Sequence, residues 1–278
     1  MIFFVHIGKT AGSTMNRYLA EAYRLGYGHC EAFIHQDGPL AERLAVADWM
    51  SGHVALPVAR ARLEPRRAGV RYFTCVRRPA AQVRSHYNWL VEIFHKGPEF
   101  YGNHPAPVRA ISERVRATVA NPTPAAIARD LRQFAGLFLD NQSRYLFGRD
   151  LAPVEAALAG GARFGAIPAV AEALGRFEAI GESGAIEALA RHVIGPAAFA
   201  PEAGGKRENA SRYHFDPALF EAEEVTETLR LHNRIDALLH AHLVARMTDG
   251  LLVAPGRAAS APAAAEAAGD VLGGAGRG

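Results

Sequence analysis

The chain has 278 residues, 49% hydrophobic and 21% charged, which is enough to bury one large core, and its formal charge of +3 without any Lys/Arg run argues against a nucleic-acid surface. No stretch approaches the roughly 18 apolar residues of a membrane span, and Met1 leads into an apolar run with no basic leader, so the chain reads as cytoplasmic. Cys30 and Cys75 lie in apolar surroundings that suit buried thiols rather than a disulfide framework.

Residues 2–7 form an apolar run that predicts a strand. Met15, Tyr18, Leu19 and Ala22 follow at helical spacing, and Gly26 ends the helix. Further strands are expected near 30–34, near 49–54 and over 70–76, "VRYFTCV". Pro79 suits a first helical turn, with Val83, Tyr87, Leu90, Val91 and Phe94 as its apolar stripe. Residues 95–107 read as a Gly/Pro-broken loop, and a helix restarts behind a polar cap within 121–138. "RFEAIG" at 176–181 predicts a buried strand and "GAIEALARHVIG" the helix after it. Residues 201–212 form a polar loop, and Asp216 and Pro217 open a long helix with Leu231, Ile235, Leu238 and Leu239 facing the core. Residues 254–278, rich in Ala, Gly and Pro, have almost nothing to bury and are expected to be disordered, leaving one domain over 1–253. The alternation implies an α/β fold around a mainly parallel sheet flanked by helices.

The segment "FVHIGKTAGSTMNRYL" (4–19) runs strand, loop, helix. Only three of the 31 cations are lysines, Lys9, Lys96 and Lys206, so a lysine in this loop points to a need for a compact ammonium. Gly8-Lys9-Thr10 matches the second half of the triphosphate loop GxxxxGK[ST], which keeps a nucleotide kinase using ATP and magnesium in view. The first half fails, because Phe3 stands where the first glycine belongs. Backbone amides, the helix dipole and the hydroxyls around Gly12, Ser13 and Thr14 still make an anion cradle. Arg77 follows a buried strand, and Ser85 lies about 200° around the next helix from Val83, so guanidinium and hydroxyl can converge on one phosphate. Lys206 and Arg207 supply a further cationic pair. None of the 12 histidines has a recognised metal-ligand spacing, and no metal is expected.

"HIGKTAGST" (6–14) resembles the 5′-phosphosulfate loop of sulfotransferases that use 3′-phosphoadenosine 5′-phosphosulfate, in the branch of the heparan sulfate 2-O-sulfotransferases and their bacterial relatives. "VRRPAAQVRSHY" (76–87) resembles that family's 3′-phosphate motif, and "SGHVALPV" (51–58) is similar to the Gly-His-Val segment carrying its base. The resemblance implies a P-loop-like three-layer fold and transfer of a sulfuryl group, without a metal, to an acceptor hydroxyl, with a glycan as the family-weighted acceptor. It further implies Lys9 beside the leaving phosphate oxygen, with Thr10, Ala11, Gly12, Ser13 and Thr14 completing the cradle. Arg77 and Ser85 would bind the 3′-phosphate, Lys206 and Arg207 would close over it, and His53 would be the general base. His6 reads as structural, and His86 and Glu92 are weaker candidates for the base. The sequence departs from the family at Gly8, where proline is usual, at Arg78, where Asp or Asn is usual, and at Gln82, where a second arginine is usual, which shifts phosphate binding toward Arg78 or Arg84. A non-catalytic module binding nucleotide or glycan is the remaining alternative.

Overall fold

The computed structural model describes residues 1–196, 198–199 and 212–255. Strands and helices alternate through β1 (Ile2–Val5), α1 (Gly12–Ala22), β2 (Gly26–Tyr27), α2 (Asp37–Val46), β3 (Trp49–Gly52), α3 (Leu56–Leu63) and β4 (Arg71–Val76). Eight helices follow: α4 (Pro79–His95), α5 (Pro98–Gly102), α6 (Ala106–Val119), α7 (Pro124–Gln133), α8 (Ala135–Phe138), α9 (Asn141–Phe147), α10 (Ala152–Ala159) and α11 (Pro168–Gly175). The chain then returns to the sheet as β5 (Phe177–Glu182), continues through α12 (Ile186–Ile194), α13 (Glu223–His232) and α14 (Arg234–Val244), and ends in β6 (Leu251–Val253).

The sheet order is β2-β3-β1-β4-β5-β6, and every pairing is parallel except β5 with β6. This is the expected α/β architecture. Side chains of a strand alternate between faces, and β1 shows the result: Phe3 and Val5 pack with Met50, Tyr72 and Ile180 on one face, while Ile2 and Phe4 pack with Phe73, Met15 and Leu189 on the other. Both faces of β1 are therefore dry, as a central parallel strand requires. A separate apolar cluster joins α4, α6, α7 and α13 through Tyr87, Leu90, Val115, Leu131 and Val225. Among the described residues no helix is long and apolar enough to cross a membrane.

Several local expectations give way. Cys30–Ala32 is a single 3-10 turn, because the amides of Phe33 and Ile34 both donate to the Cys30 carbonyl; the strand expected at 30–34 is replaced by β2, a few residues earlier. Phe94 is 40% exposed, and Ile93 takes the buried position instead. The loop expected at 95–107 contains α5 and the start of α6. The expected helix within 121–138 starts behind Thr123, whose hydroxyl accepts the Ala126 amide, but divides at Phe134 into α7 and α8. Asp216 does accept the Ala218 amide, yet it opens only a 3-10 turn (Pro217–Glu221), and the long helix is broken at Asn233, with Leu231 exposed at 53%. The expected disordered tail lies, from residue 256 on, outside the described residues.

The break at Asn233 has a purpose in the packing. Its side-chain oxygen accepts the Asp140 amide, and the buried Asp236 carboxylate accepts the amides of Gln142 (3.1 Å) and Ser143 (2.7 Å) and the Ser143 hydroxyl (2.6 Å). A carboxylate from α14 thus caps the N-terminus of α9, where amides lack partners within their own helix. Replacing Asp236 by Ala leaves those donors unpaired in the core. The expected cost is about 3 kcal/mol, measurable by urea denaturation, with a smaller loss for Asp236→Asn.

Candidate functional site

The parallel pairing of β3, β1 and β4 sets three carboxyl ends side by side. From β1 the chain crosses toward β2 on one side, and from β4 it crosses toward β5 on the other. In doubly wound sheets, ligands bind at such a reversal, outside the strand ends. The three ends deliver the 6–11 loop, His53 and Arg77.

The 6–11 loop is held in an unusual conformation. Lys9 (φ 66°) and Ala11 (φ 72°) both occupy the left-handed region, at a cost of order 1 kcal/mol each for non-glycine residues. Three hydrogen bonds restrain it. Thr10 is buried and donates its hydroxyl to the Ile7 carbonyl at 2.9 Å; the Gln82 amide donates to the Gly8 carbonyl at 3.0 Å; Arg77 Nη1 donates to the Lys9 carbonyl at 3.2 Å. Because carbonyl and N–H of one trans peptide point in opposite directions, fixing these two carbonyls toward β4 and α4 aims the Lys9 and Thr10 amides away from them. Gln142 in turn accepts the Arg77 amide (2.8 Å) and donates to the Arg77 carbonyl (2.9 Å). Gln82, where the resembled motif would have a second arginine, is therefore a loop anchor, and Gln142 is a further one that no motif signalled.

Helix α1 begins at Gly12 with no side-chain cap and no acidic residue in its first turn, leaving the amides of its first turn without intrahelical partners. Ser13 is exposed and Thr14 half-buried at this end. Burial lowers the Lys9 pKa, opposed by the Glu92 carboxylate and assisted by Lys96 and Arg77. Arg77 stands against the loop rather than at a distance from it. Ser85 is half-buried on α4, whose polar residues Gln82, His86 and Asn88 are themselves buried, so the helix lacks the open face expected there. Arg84 lies 3.8 Å from Glu221 and over the Tyr213 ring, and Arg78 is exposed. Lys206 and Arg207 lie outside the described residues; the chain on either side is pinned by Phe199 against Tyr18 of α1 and by Asn88 of α4, which bonds the Arg212 carbonyl and the His214 amide.

His53 follows β3 directly. Its Nδ1 lies 2.7 Å from the His6 carbonyl, which can only accept, so Nδ1 carries the proton and Nε2 the lone pair. Its amide donates to Glu31 Oε2 at 2.9 Å, while Glu31 Oε1 pairs with His29 Nδ1 at 2.9 Å. The ring is open to solvent yet surrounded by protein, and desolvation lowers its pKa below 6.5 against the opposing effect of Glu31. Burial by itself would raise the Glu31 carboxyl; hydrogen bonds from His29 and from backbone amides, with the nearby His53, outweigh it and hold the group at about 2. His6 is buried with its ring 4.3 Å from that of His53, and burial pushes its pKa well down. His86, also buried, is pushed down to about 3 by desolvation and by the Lys9 and His53 charges, so it is a neutral group.

No protein family, curated protein or solved structure matches this chain.

Two glycines make room for this cluster. A Cβ at Gly52 would lie 2.5 Å from Glu31 Oε2 and 2.7 Å from Cys30 Sγ, and one at Gly12 would lie 1.9 Å from the His6 ring. His29 and Glu31 carry no linear motif, and only their turn against Gly52 brings them to His53. Gly12→Ala forces the His6 ring aside or shifts the start of α1, with an expected loss of about 1 to 3 kcal/mol. A fall in thermal midpoint checks this.

Proposed function

We propose that this protein is a sulfotransferase that moves a sulfuryl group from 3′-phosphoadenosine 5′-phosphosulfate to an acceptor hydroxyl, with a carbohydrate as the acceptor class. The observation that carries the reading is the meeting, at three adjacent strand ends, of an uncapped helix N-terminus, the Lys9 loop, Arg77 and a histidine with a free Nε2 lone pair. In this reading the Gly12, Ser13 and Thr14 amides and the Lys9 ammonium receive the 5′-phosphosulfate, and Arg77 adds a second cation within the same cleft.

The acceptor oxygen attacks sulfur in line, its proton passes to His53 Nε2, and the bond from sulfur to the bridging oxygen breaks. The electron pair is left on the phosphate oxygen beside Lys9. The Nδ1–H bond to the His6 carbonyl keeps the imidazole in the tautomer this step needs. A kinase reading finds less support: among the described residues no strand ends in Asp to hold magnesium, and β1 occupies the positions that a triphosphate loop would need to curl.

The test is binding followed by transfer. Thermal stabilisation by 3′-phosphoadenosine 5′-phosphate, and not by ATP with magnesium, is expected, and incubation of donor with a panel of glycans should yield a sulfated product by mass spectrometry. Stabilisation by ATP with magnesium alone would overturn the reading. Lys9→Ala and His53→Ala should each lower turnover by about 10² to 10³-fold, with His53→Ala leaving nucleotide affinity nearly intact.

The pH dependence has a definite sign. The working imidazole is neutral, and its pKa is depressed below 6.5. Activity should therefore be flat from pH 6.5 up to the range in which the Lys9 ammonium loses its proton, and on the acid side fall tenfold per unit only below the depressed His53 pKa. A rate profile in which activity is already lost between pH 7.5 and 6.5 would remove His53 from the role.

A further inference from the structure

Outside the anion cradle, the polar cluster on the β3 side has a composition that sulfuryl transfer does not require. His29, Glu31 and His53 each offer one ligand atom, and the three atoms lie within 4.8 Å of one another. Two imidazoles and one carboxylate, with space for a water, are the donor set of open zinc sites, in which ligand atoms about 3.3 Å apart surround the ion. Small side-chain rotations close the difference. His29 is exposed, and among the described residues the one hydrogen bond of its ring is to Glu31 at 2.9 Å, which leaves it room to make one.

The supporting contacts are those that metal ligands ordinarily have. A ligating histidine donates its other N–H to a carbonyl or carboxylate, and a ligating carboxylate is itself hydrogen-bonded. His53 donates Nδ1–H to the His6 carbonyl at 2.7 Å, and Glu31 Oε2 accepts the His53 amide at 2.9 Å. A second feature points to an occupant. His6 is 5% exposed, its ring packs 4.3 Å from His53 and 6.1 Å from His29, and its Nδ1 has no hydrogen-bond partner among the described residues. A buried ring nitrogen without a partner is costly.

We propose that His29, Glu31 and His53 form a binding site for a divalent ion of the zinc class, and that the occupied site takes His53 out of the reaction. Binding exchanges the His29–Glu31 hydrogen bond for two bonds to the ion and releases any proton held between them. The metal site stands on the geometry alone; the inhibitory consequence rests on the sulfotransferase reading, because the His53 lone pair cannot both hold an ion and accept the acceptor's proton.

The experiment is titration of the chelator-treated full chain with zinc by calorimetry, repeated with cobalt to read the visible absorption of a low-coordinate site. One equivalent should bind, and His29→Ala and Glu31→Gln should each weaken binding at least tenfold. His104→Ala, which alters an imidazole elsewhere, should leave it unchanged, and melting curves establish that the variants are folded. Absence of a one-equivalent event in the wild type, or equal affinity in folded His29→Ala and Glu31→Gln, would overturn the site. Transfer rates with and without zinc then test the consequence: the ratio should fall at least tenfold in the wild type and stay near one in His29→Ala. Zinc that binds at this site and leaves transfer unchanged or faster would overturn the inhibitory role. If no sulfate transfer is found at all, calorimetry still decides the site, and the failure belongs to the functional reading.

Discussion

Everything at the three strand ends depends on β1 being hydrogen-bonded along both edges by parallel partners. Ile2 to Val5 pair with Trp49 to Gly52 on one side and with Arg71 to Thr74 on the other, so the ends of three strands are held in one register. The His6 amide extends the ladder by donating to the Gly52 carbonyl at 3.0 Å. The loop after β1 therefore starts from a fixed point, with His53 on one flank and Arg77 on the other. Phe3, Phe4 and Val5 are all at 0% exposure, so close packing on both faces resists any shift of this strand.

On that base the loop is tensioned from behind. Asp236 caps α9, α9 supplies Gln142, Gln142 brackets the Arg77 peptide, and Arg77 with Gln82 secures the Lys9 and Gly8 carbonyls. The links at Asp236 are buried and the others partly so, and an unmade bond away from water is expensive. The series connects α14 to a loop more than 220 positions earlier in the chain. It also explains why two non-glycine residues can remain in left-handed backbone: the surroundings leave them no alternative of lower energy.

The sequence made the sheet legible where strands are long and apolar. β3, β4 and β5 lie close to the runs at 49–54, 70–76 and 176–181, because buried parallel strands write themselves as continuous apolar segments. It was less informative where the same residue types serve a turn. Cys30 and Ile34 are fully buried, yet they belong to a 3-10 corner packed on β3 rather than to a strand. β2 has two residues and β6 three, too few to show a pattern. The C-terminal helices misled for a different reason: Asn233 interrupts an otherwise continuous helical pattern because its side chain is needed in the core. At the site, Arg77 is legible as a cation after a buried strand, Lys9 as a rare lysine in a glycine-bearing loop, and His53 through its Gly-His-Val resemblance. His29, Glu31 and Gln142 did not, since their positions follow from chain crossings that no local spacing encodes.

The scarcity of lysine gives the cleft a chemical signature. Among the described residues Lys9 and Lys96 are the only primary side-chain amines; Lys96 is held by Glu92 at 3.4 Å, while burial lowers the pKa of Lys9. An amine-selective acylating reagent therefore meets few competing amines: Lys96, Lys206 and the α-amine of Met1. Its attachment at residue 9, and protection of that residue by a bound polyanion, would turn a compositional oddity into a direct reporter of occupancy.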